Sequence, residues 1–178
     1  MSRTKRLALT AMLTALSVVL VWLAAVIPTG SAALVAICGI ITAVTVMRCG
    51  YFWALGHFIM TAALSLLLIP DLGVAMMYIT MLGWYPIVKS VYETRISRRA
   101  LAWAVKLITA AAAVTLWIAA LTLTVAGASG EWLIAIPGLS AGFIIPATVF
   151  VMLVVFGLYD VALTRVIEWI LRRTGGKF

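Results

Sequence analysis

The sequence predicts an all-α integral membrane protein, a bundle of six transmembrane helices with both termini in the cytoplasm. Composition is the first observation: of 178 residues, 66% are hydrophobic and 10% are charged, whereas soluble domains are roughly 45–50% apolar. The second is that the apolar residues form six long runs, and the third is that lysine and arginine are confined to one side of them. A backbone in lipid must be helical or form a closed barrel, and the alternating pattern of barrel strands is absent.

The first apolar run covers residues 7–27 and follows a basic segment, residues 1–6. A basic start and an apolar run also characterise secretory signal peptides, but their apolar region has only about 7–15 residues. We therefore expect a retained first helix, which ends at Pro28-Thr29-Gly30.

The other five runs are separated by turn residues or by charges, and each is near the roughly 20 residues that cross a bilayer. The breaks fall at Arg48-Cys49-Gly50, at Pro70-Asp71, in the charged stretch 89–99 and in the stretch 127–138. The predicted helices cover residues 32–47, 51–69, 72–88, 100–126 and 141–163, and a cytoplasmic helical extension continues to about residue 173.

The basic residues predict the orientation. With the N-terminus inside, all 13 lie in cytoplasmic segments or near cytoplasmic helix ends, and the outer loops carry Asp71 and Glu131 instead. Cytoplasmic loops of membrane proteins are enriched in Lys and Arg. With five or seven helices, some of the basic residues would lie on the outer side. We therefore predict a multi-pass protein of the cell membrane. The basic residues are Arg3, Lys5, Arg6, Arg48, Lys89, Arg95, Arg98, Arg99, Lys106, Arg165, Arg172, Arg173 and Lys177.

Several function classes are disfavoured. The net charge of +8 does not indicate nucleic-acid binding, because the basic residues lie between apolar runs. No glycine-rich run ends in Gly-Lys-Ser or Gly-Lys-Thr, so ATP hydrolysis by this chain is not expected. His57 is the single histidine, which argues against a histidine metal pair. Asp160 and Asp71 are predicted at opposite membrane faces, too far apart for an aspartyl protease pair. We predict no enzyme, no catalytic residue, no metal and no cofactor.

Asp160 needs a partner or water, because an acid within a helix in lipid is costly. It lies about one turn inside the inner end of the last helix, and Lys106 lies at a similar depth in the fifth. One hypothesis is a structural ion pair between them. The alternative of equal weight is that both side chains reach separately to the membrane surface.

Two further polar residues have an ordinary interpretation and a functional one. A lone histidine such as His57 more often forms a hydrogen bond with a neighbouring helix than binds a ligand. Asp71 follows Pro70 and precedes the fourth apolar run, where an N-cap belongs. We favour the cap, with ligand contact second.

Small residues in the first helix predict a close helix contact. Ala11 and Ala15 form a small-x-x-x-small step, which allows another helix to approach closely. Together with six helices, cytoplasmic termini, short loops and no ATPase motif, this step resembles the substrate-binding S components of energy-coupling factor transporters, which capture vitamins or other micronutrients. The stretches Pro70-Asp71 through Tyr78 and Gly83 through Lys89 also resemble uncharacterised bacterial membrane proteins of this type.

The resemblance implies a micronutrient uptake transporter powered by ATP, in which this chain binds the substrate. It would dock through Ala11 and Ala15 on a transmembrane coupling subunit driven by two cytoplasmic ATPases, and toppling in the membrane would release the substrate inside. The pocket would open to the outside. Its available polar or aromatic residues are Trp22, Thr29, Ser31, Asp71, Tyr78, Glu131 and Trp132.

The chain contains no Asn and no Gln, so aromatic faces, hydroxyls, main-chain groups and one or two carboxylates would have to recognise the small-molecule ligand. An aromatic or cationic ligand suits that inventory best. The alternative function is a membrane scaffold or assembly protein that resembles small rod-shape machinery proteins. Such a scaffold would bind other membrane proteins and no small molecule.

Overall fold

The computed structural model describes residues 2–27, 29–95, 99–125 and 141–173. Within these ranges the chain is helical and contains no strand. We number the α-helices in chain order and refer to the single π-helical segment as the π turn. The elements are α1 (Arg3–Val26), α2 (Ser31–Cys49), α3 (Tyr51–Leu68), α4 (Leu72–Met77), the π turn (Tyr78–Leu82), α5 (Tyr85–Arg95), α6 (Arg99–Val125) and α7 (Ala141–Arg173).

Four helical stretches of the described chain are long and apolar enough to cross a membrane. They are α1, α2, α3 and the stretch Leu72–Tyr92, which combines α4, the π turn and most of α5. Long apolar helices of this kind are compatible with a membrane protein. The fold class is thus all-helical, as the sequence predicts.

The centre of the bundle is α2, which packs against α1, α3, α4, the π turn, α5 and α7. Its buried face includes Val35, Cys38 and Thr42. The largest side chains in the core around it, Tyr78 and Tyr85, are fully buried. The core therefore lies where the π turn and α7 pack against α2.

The fourth predicted helix, residues 72–88, is interrupted in the structure. The Gly83 N–H donates to the Tyr78 carbonyl at 2.7 Å, five residues back, which defines the π turn. Pro86 has no N–H and cannot bond the Leu82 carbonyl as a continuous α-helix requires. The chain therefore bends at Gly83-Trp84 and starts a new helix at Tyr85, with Pro86 at its second position.

Gly39 marks the closest approach of α2 to its neighbours. A Cβ built there would overlap the Tyr159 hydroxyl of α7 and would lie 2.8 Å from the Leu82 carbonyl oxygen. The carbonyl that Pro86 leaves without a helical donor thus faces the glycine. Only a residue without a side chain lets α2, the π turn and α7 meet here.

Replacing Gly39 with alanine should destabilise the protein by about 1–3 kcal/mol, because overpacking forces neighbouring atoms to move. The matched control is Gly157→Ala on α7, where an added Cβ meets nothing within 4 Å and where alanine should gain about 0.5–1 kcal/mol. Thermal midpoints in detergent micelles would measure both. A Gly39→Ala midpoint equal to that of Gly157→Ala would contradict the close contact.

Candidate functional site: an apolar groove and buried polar clusters

An open apolar groove of about 580 Å³ lies between α1 and α3. Ala11 and Ala15 of α1 line it together with Gly56 of α3, and a Cβ on Gly56 would meet nothing within 4 Å. Larger side chains on both helices form its walls and are themselves exposed, Phe52 to 82%. Within the described residues the small-residue step of the first helix is therefore not covered by another helix, and Ala11 and Ala15 are exposed.

The polar side of α1 joins the two helices beneath the groove. Thr14 Oγ1 donates to the Thr10 carbonyl at 2.9 Å and lies 3.0 Å from His57 Nδ1. This contact joins α1 to α3 in the interior, and its direction depends on the histidine tautomer. His57 is fully buried and, as the sequence analysis expects, it bonds a neighbouring helix.

A basic cleft adjoins the lower end of the groove. It has a volume of about 440 Å³ and is lined by Arg3, Arg6, Phe52 and Trp53. Phe52 and Trp53 also line the groove, so the two cavities share a wall. Among the described residues no carboxylate pairs with either arginine, and Arg6 Nε is buried without a hydrogen-bond partner. The cleft thus presents two uncompensated positive charges.

A second polar site lies where α5, α6 and α7 meet. Lys106 Nζ is 2.8 Å from Asp160 Oδ2, and Lys89 Nζ contacts Asp160 Oδ1. Lys89, only 1% exposed, also donates to the Asp160 carbonyl at 3.0 Å and to Thr164 Oγ1. The Tyr85 hydroxyl donates to Asp160 Oδ1. All three donors of the buried ammonium therefore have acceptors, and the Asp160 carboxylate contacts both lysines.

The structure brings together the predicted partners Lys106 and Asp160 and adds Lys89, which sequence reasoning left in the charged stretch after the fourth helix. A signal was present: Tyr85, Lys89 and Tyr92 are spaced i, i+4, i+7 and share one face of a helix. The Tyr85 and Tyr92 hydroxyls lie 3.2 Å apart. A lysine aligned with two tyrosines on one helical face indicates a buried polar contact and not a loop.

A third polar cluster fills the interior between α2, α3 and the π turn. Thr42 and Thr61 lie beside the Tyr78 hydroxyl, but this hydroxyl makes no hydrogen bond within the described structure. Several other fully buried polar atoms also have no partner in the described structure. They are Ser17 Oγ, His57 Nε2, Thr61 Oγ1 and Ser65 Oγ. The i, i+4, i+8 spacing of His57, Thr61 and Ser65 is the sequence signal for this polar face.

Some of the residues predicted to bind substrate lie at one end of the bundle, and one lies in its interior. Thr29, Ser31 and Asp71 lie at the end of the bundle where α1 meets α2 and α3 meets α4, and Trp22 is 48% exposed nearby on α1. Tyr78 lies deeper, fully buried. Within the described chain no hydrogen bond joins these five side chains. Glu131 and Trp132 lie outside the described residues.

Asp71 caps α4, the role favoured on sequence grounds. Its Oδ1 accepts from the Gly73 N–H at 2.9 Å and from the Val74 N–H at 3.4 Å. These bonds satisfy two of the backbone donors that open a helix. The carboxylate remains exposed, so its second oxygen is accessible from outside the bundle.

Comparison of the chain with family models, with curated proteins and with solved structures finds no match in any of the three.

Replacing Asp160 should destabilise the protein more than replacing either lysine. Asp160→Asn removes the negative charge that Lys89 contacts in the interior, and breaking a buried ion pair in this way should cost about 3–5 kcal/mol. Lys106→Gln should cost only about 1 kcal/mol, because Lys106 is 24% exposed and Asp160 still contacts Lys89 in this variant. Unfolding free energies from denaturing-detergent titration would rank the variants.

The control is Glu168→Gln, which makes the same chemical change at an exposed position of α7. It should alter stability by no more than about 0.5 kcal/mol. If Asp160→Asn is no less stable than Glu168→Gln, then the cluster does not hold the three helices together.

Proposed function

We propose that the protein is the substrate-binding membrane subunit of an ATP-powered micronutrient uptake transporter, similar to the S components of energy-coupling factor systems. The observation that carries the proposal is the open groove lined by Ala11 and Ala15. A small-residue face that none of the described helices covers is suited to a helix of another subunit. That subunit would be a transmembrane coupling protein, and separate cytoplasmic ATPases would supply the energy.

The proposed topology has six transmembrane helices with both termini in the cytoplasm. The Cys49 thiol of α2 contacts the Arg6 carbonyl of α1, so Arg6 and Arg48 share one end of the bundle. The Tyr51 hydroxyl bonds the Ser90 carbonyl, which adds the end of α5 to the same side. Helices α6 and α7 have 27 and 33 residues, about 40 and 50 Å, enough to cross the roughly 30 Å hydrocarbon core.

Cysteine labelling tests this orientation. In intact cells Thr29→Cys should react with a membrane-impermeant maleimide, whereas Ser2→Cys should react only after the membrane is opened. Both positions are exposed, and the native cysteines Cys38 and Cys49 are buried, so background labelling should be low. Labelling of Ser2→Cys in intact cells would overturn the orientation.

The substrate would enter at the outer end of the bundle, near Trp22, Thr29, Ser31 and Asp71. The free oxygen of the Asp71 carboxylate and the exposed indole of Trp22 suit a cationic or aromatic ligand.

The Asp160 cluster lies at the inner half of the bundle. It holds α5, α6 and α7 together, so that the subunit can move as one body when it docks.

Tryptophan in the groove should abolish docking. Ala11→Trp and Ala15→Trp would fill the groove, and each should lower co-purification with the coupling subunit and the ATPases by at least tenfold. The matched control is Leu16→Trp on the same helix, at a position 48% exposed that does not line the groove. This control should retain the complex.

Thermal midpoints of the three isolated variants would show that each is folded. Retention of the complex by Ala11→Trp and Ala15→Trp would contradict the docking role. Wild-type protein that binds other membrane proteins but never ATPases would favour the scaffold function instead.

A further inference from the structure

We propose that the groove and the basic cleft together form a binding site for one anionic phospholipid. An acyl chain occupies the groove between α1 and α3, and the phosphate lies in the cleft between Arg3 and Arg6. The proposal depends on the membrane location of the protein and not on its transport function.

The groove has the dimensions of a single membrane leaflet. On α3 its lining extends from Phe52 to Leu64, twelve helical steps or about 18 Å. Half of the hydrocarbon core of a bilayer is about 15 Å. Apart from Trp53 at one end, the side chains in the lining with polar atoms are Thr10 and Thr14, and both hydroxyls donate to carbonyls of their own helix. An acyl chain can therefore lie in the groove without leaving a hydroxyl donor unsatisfied.

The cleft supplies the charge that selects the headgroup. Arg3 and Arg6 line it, and in the described chain they have no acidic partner. The buried Arg6 Nε also has no hydrogen-bond acceptor. A phosphodiester provides both a negative charge and the oxygens that a guanidinium binds in pairs. Basic pockets between helices at the cytoplasmic surface bind anionic lipid headgroups by this chemistry.

Trp53 lies at the junction of the two cavities and lines both. Tryptophan is enriched at the boundary between the hydrocarbon core and the headgroups. Its position therefore places that boundary where the apolar groove ends and the basic cleft begins. The apolar groove, the basic cleft and the tryptophan between them therefore suit an amphiphile whose apolar part lies along α3.

The lipid site and the proposed docking face share Ala11 and Ala15. If the proposed function is correct, then a coupling-subunit helix and the acyl chain cannot occupy the groove together, and docking must displace the lipid. This competition would keep the apolar face covered while the subunit is alone in the membrane.

Native mass spectrometry of the purified chain with phosphatidylglycerol or phosphatidylcholine of identical acyl chains tests the headgroup site. Attraction of about 1 kcal/mol for each basic residue gives about a fivefold preference per arginine, so the wild type should bind phosphatidylglycerol about 25-fold more tightly. Arg3→Gln with Arg6→Gln should bring the two lipids within about twofold of each other. Lys5→Gln, at an exposed position outside the cleft, should keep most of the preference.

Two variants test the groove. Gly56→Leu would occupy the space above Gly56, and it should weaken binding of both lipids at least fivefold while leaving the thermal midpoint close to that of the wild type. Phosphatidylglycerol with brominated acyl chains should quench tryptophan fluorescence in the wild type, and Trp53→Phe should remove most of that quenching.

Equal binding of the two lipids by the wild type, or an undiminished preference in the double arginine variant, would overturn the headgroup site. Unchanged lipid binding by Gly56→Leu, or quenching that survives Trp53→Phe, would overturn the groove as the acyl site. Neither result depends on the coupling subunit, so failure of the lipid site and failure of docking are separate outcomes.

Discussion

The interaction on which this fold most depends is the contact of Asp160 with Lys89 and Lys106. It joins the three consecutive helices α5, α6 and α7, and it places an ammonium group in a position that is only 1% exposed. A buried charge is tolerated only when it is paired and hydrogen-bonded. Asp160 meets that requirement for Lys89 with both its side chain and its backbone carbonyl. The position of α5 against α7 follows from this requirement.

The bend before α5 positions two residues of this cluster. Continuous helix from α4 onward would need a donor for the Leu82 carbonyl, and Pro86 cannot supply one. The π turn and the bend at Gly83-Trp84 leave Tyr85 and Lys89 directed at α7. Close approach at Gly39 then lets α7 pack on α2. The interruption of the fourth helix is thus the local feature that makes the charge cluster possible.

The other side of the bundle has a different character. Helices α1 and α3 are joined in the interior by Thr14 and His57, but their outer faces diverge and leave the groove. Ala11, Ala15 and Gly56 are too small to fill it. One side of the bundle is therefore closed by charges and tyrosines, while the other presents an apolar groove beside Arg3 and Arg6, which pair with no carboxylate among the described residues. The docking and lipid proposals both concern this second half.

The helical class and the long apolar helices could be predicted from the sequence, because apolar runs of about 20 residues have few other stable structures. The cap at Asp71 and the helix contact of His57 were predictable for a similar reason, since each depends on a residue type and its immediate neighbours. Lys106 and Asp160 could be suggested as partners from their depth in the chain. Their third partner, Lys89, does not follow from depth because it begins a charged stretch, and its signal is the helical face that it shares with Tyr85 and Tyr92.

The sequence by itself determined the helical class and the long apolar helices, but not the break of the fourth helix at Gly83-Trp84. Only the tertiary structure decided that Ala11 and Ala15 line an open groove, that Arg3 and Arg6 lie at its end, and that Tyr78 is buried among hydroxyls. The physical reason is that a helix apolar on all sides has almost no preferred face. Which face is covered depends on side chains of other helices, and their position is set by a few polar contacts that sequence spacing does not encode.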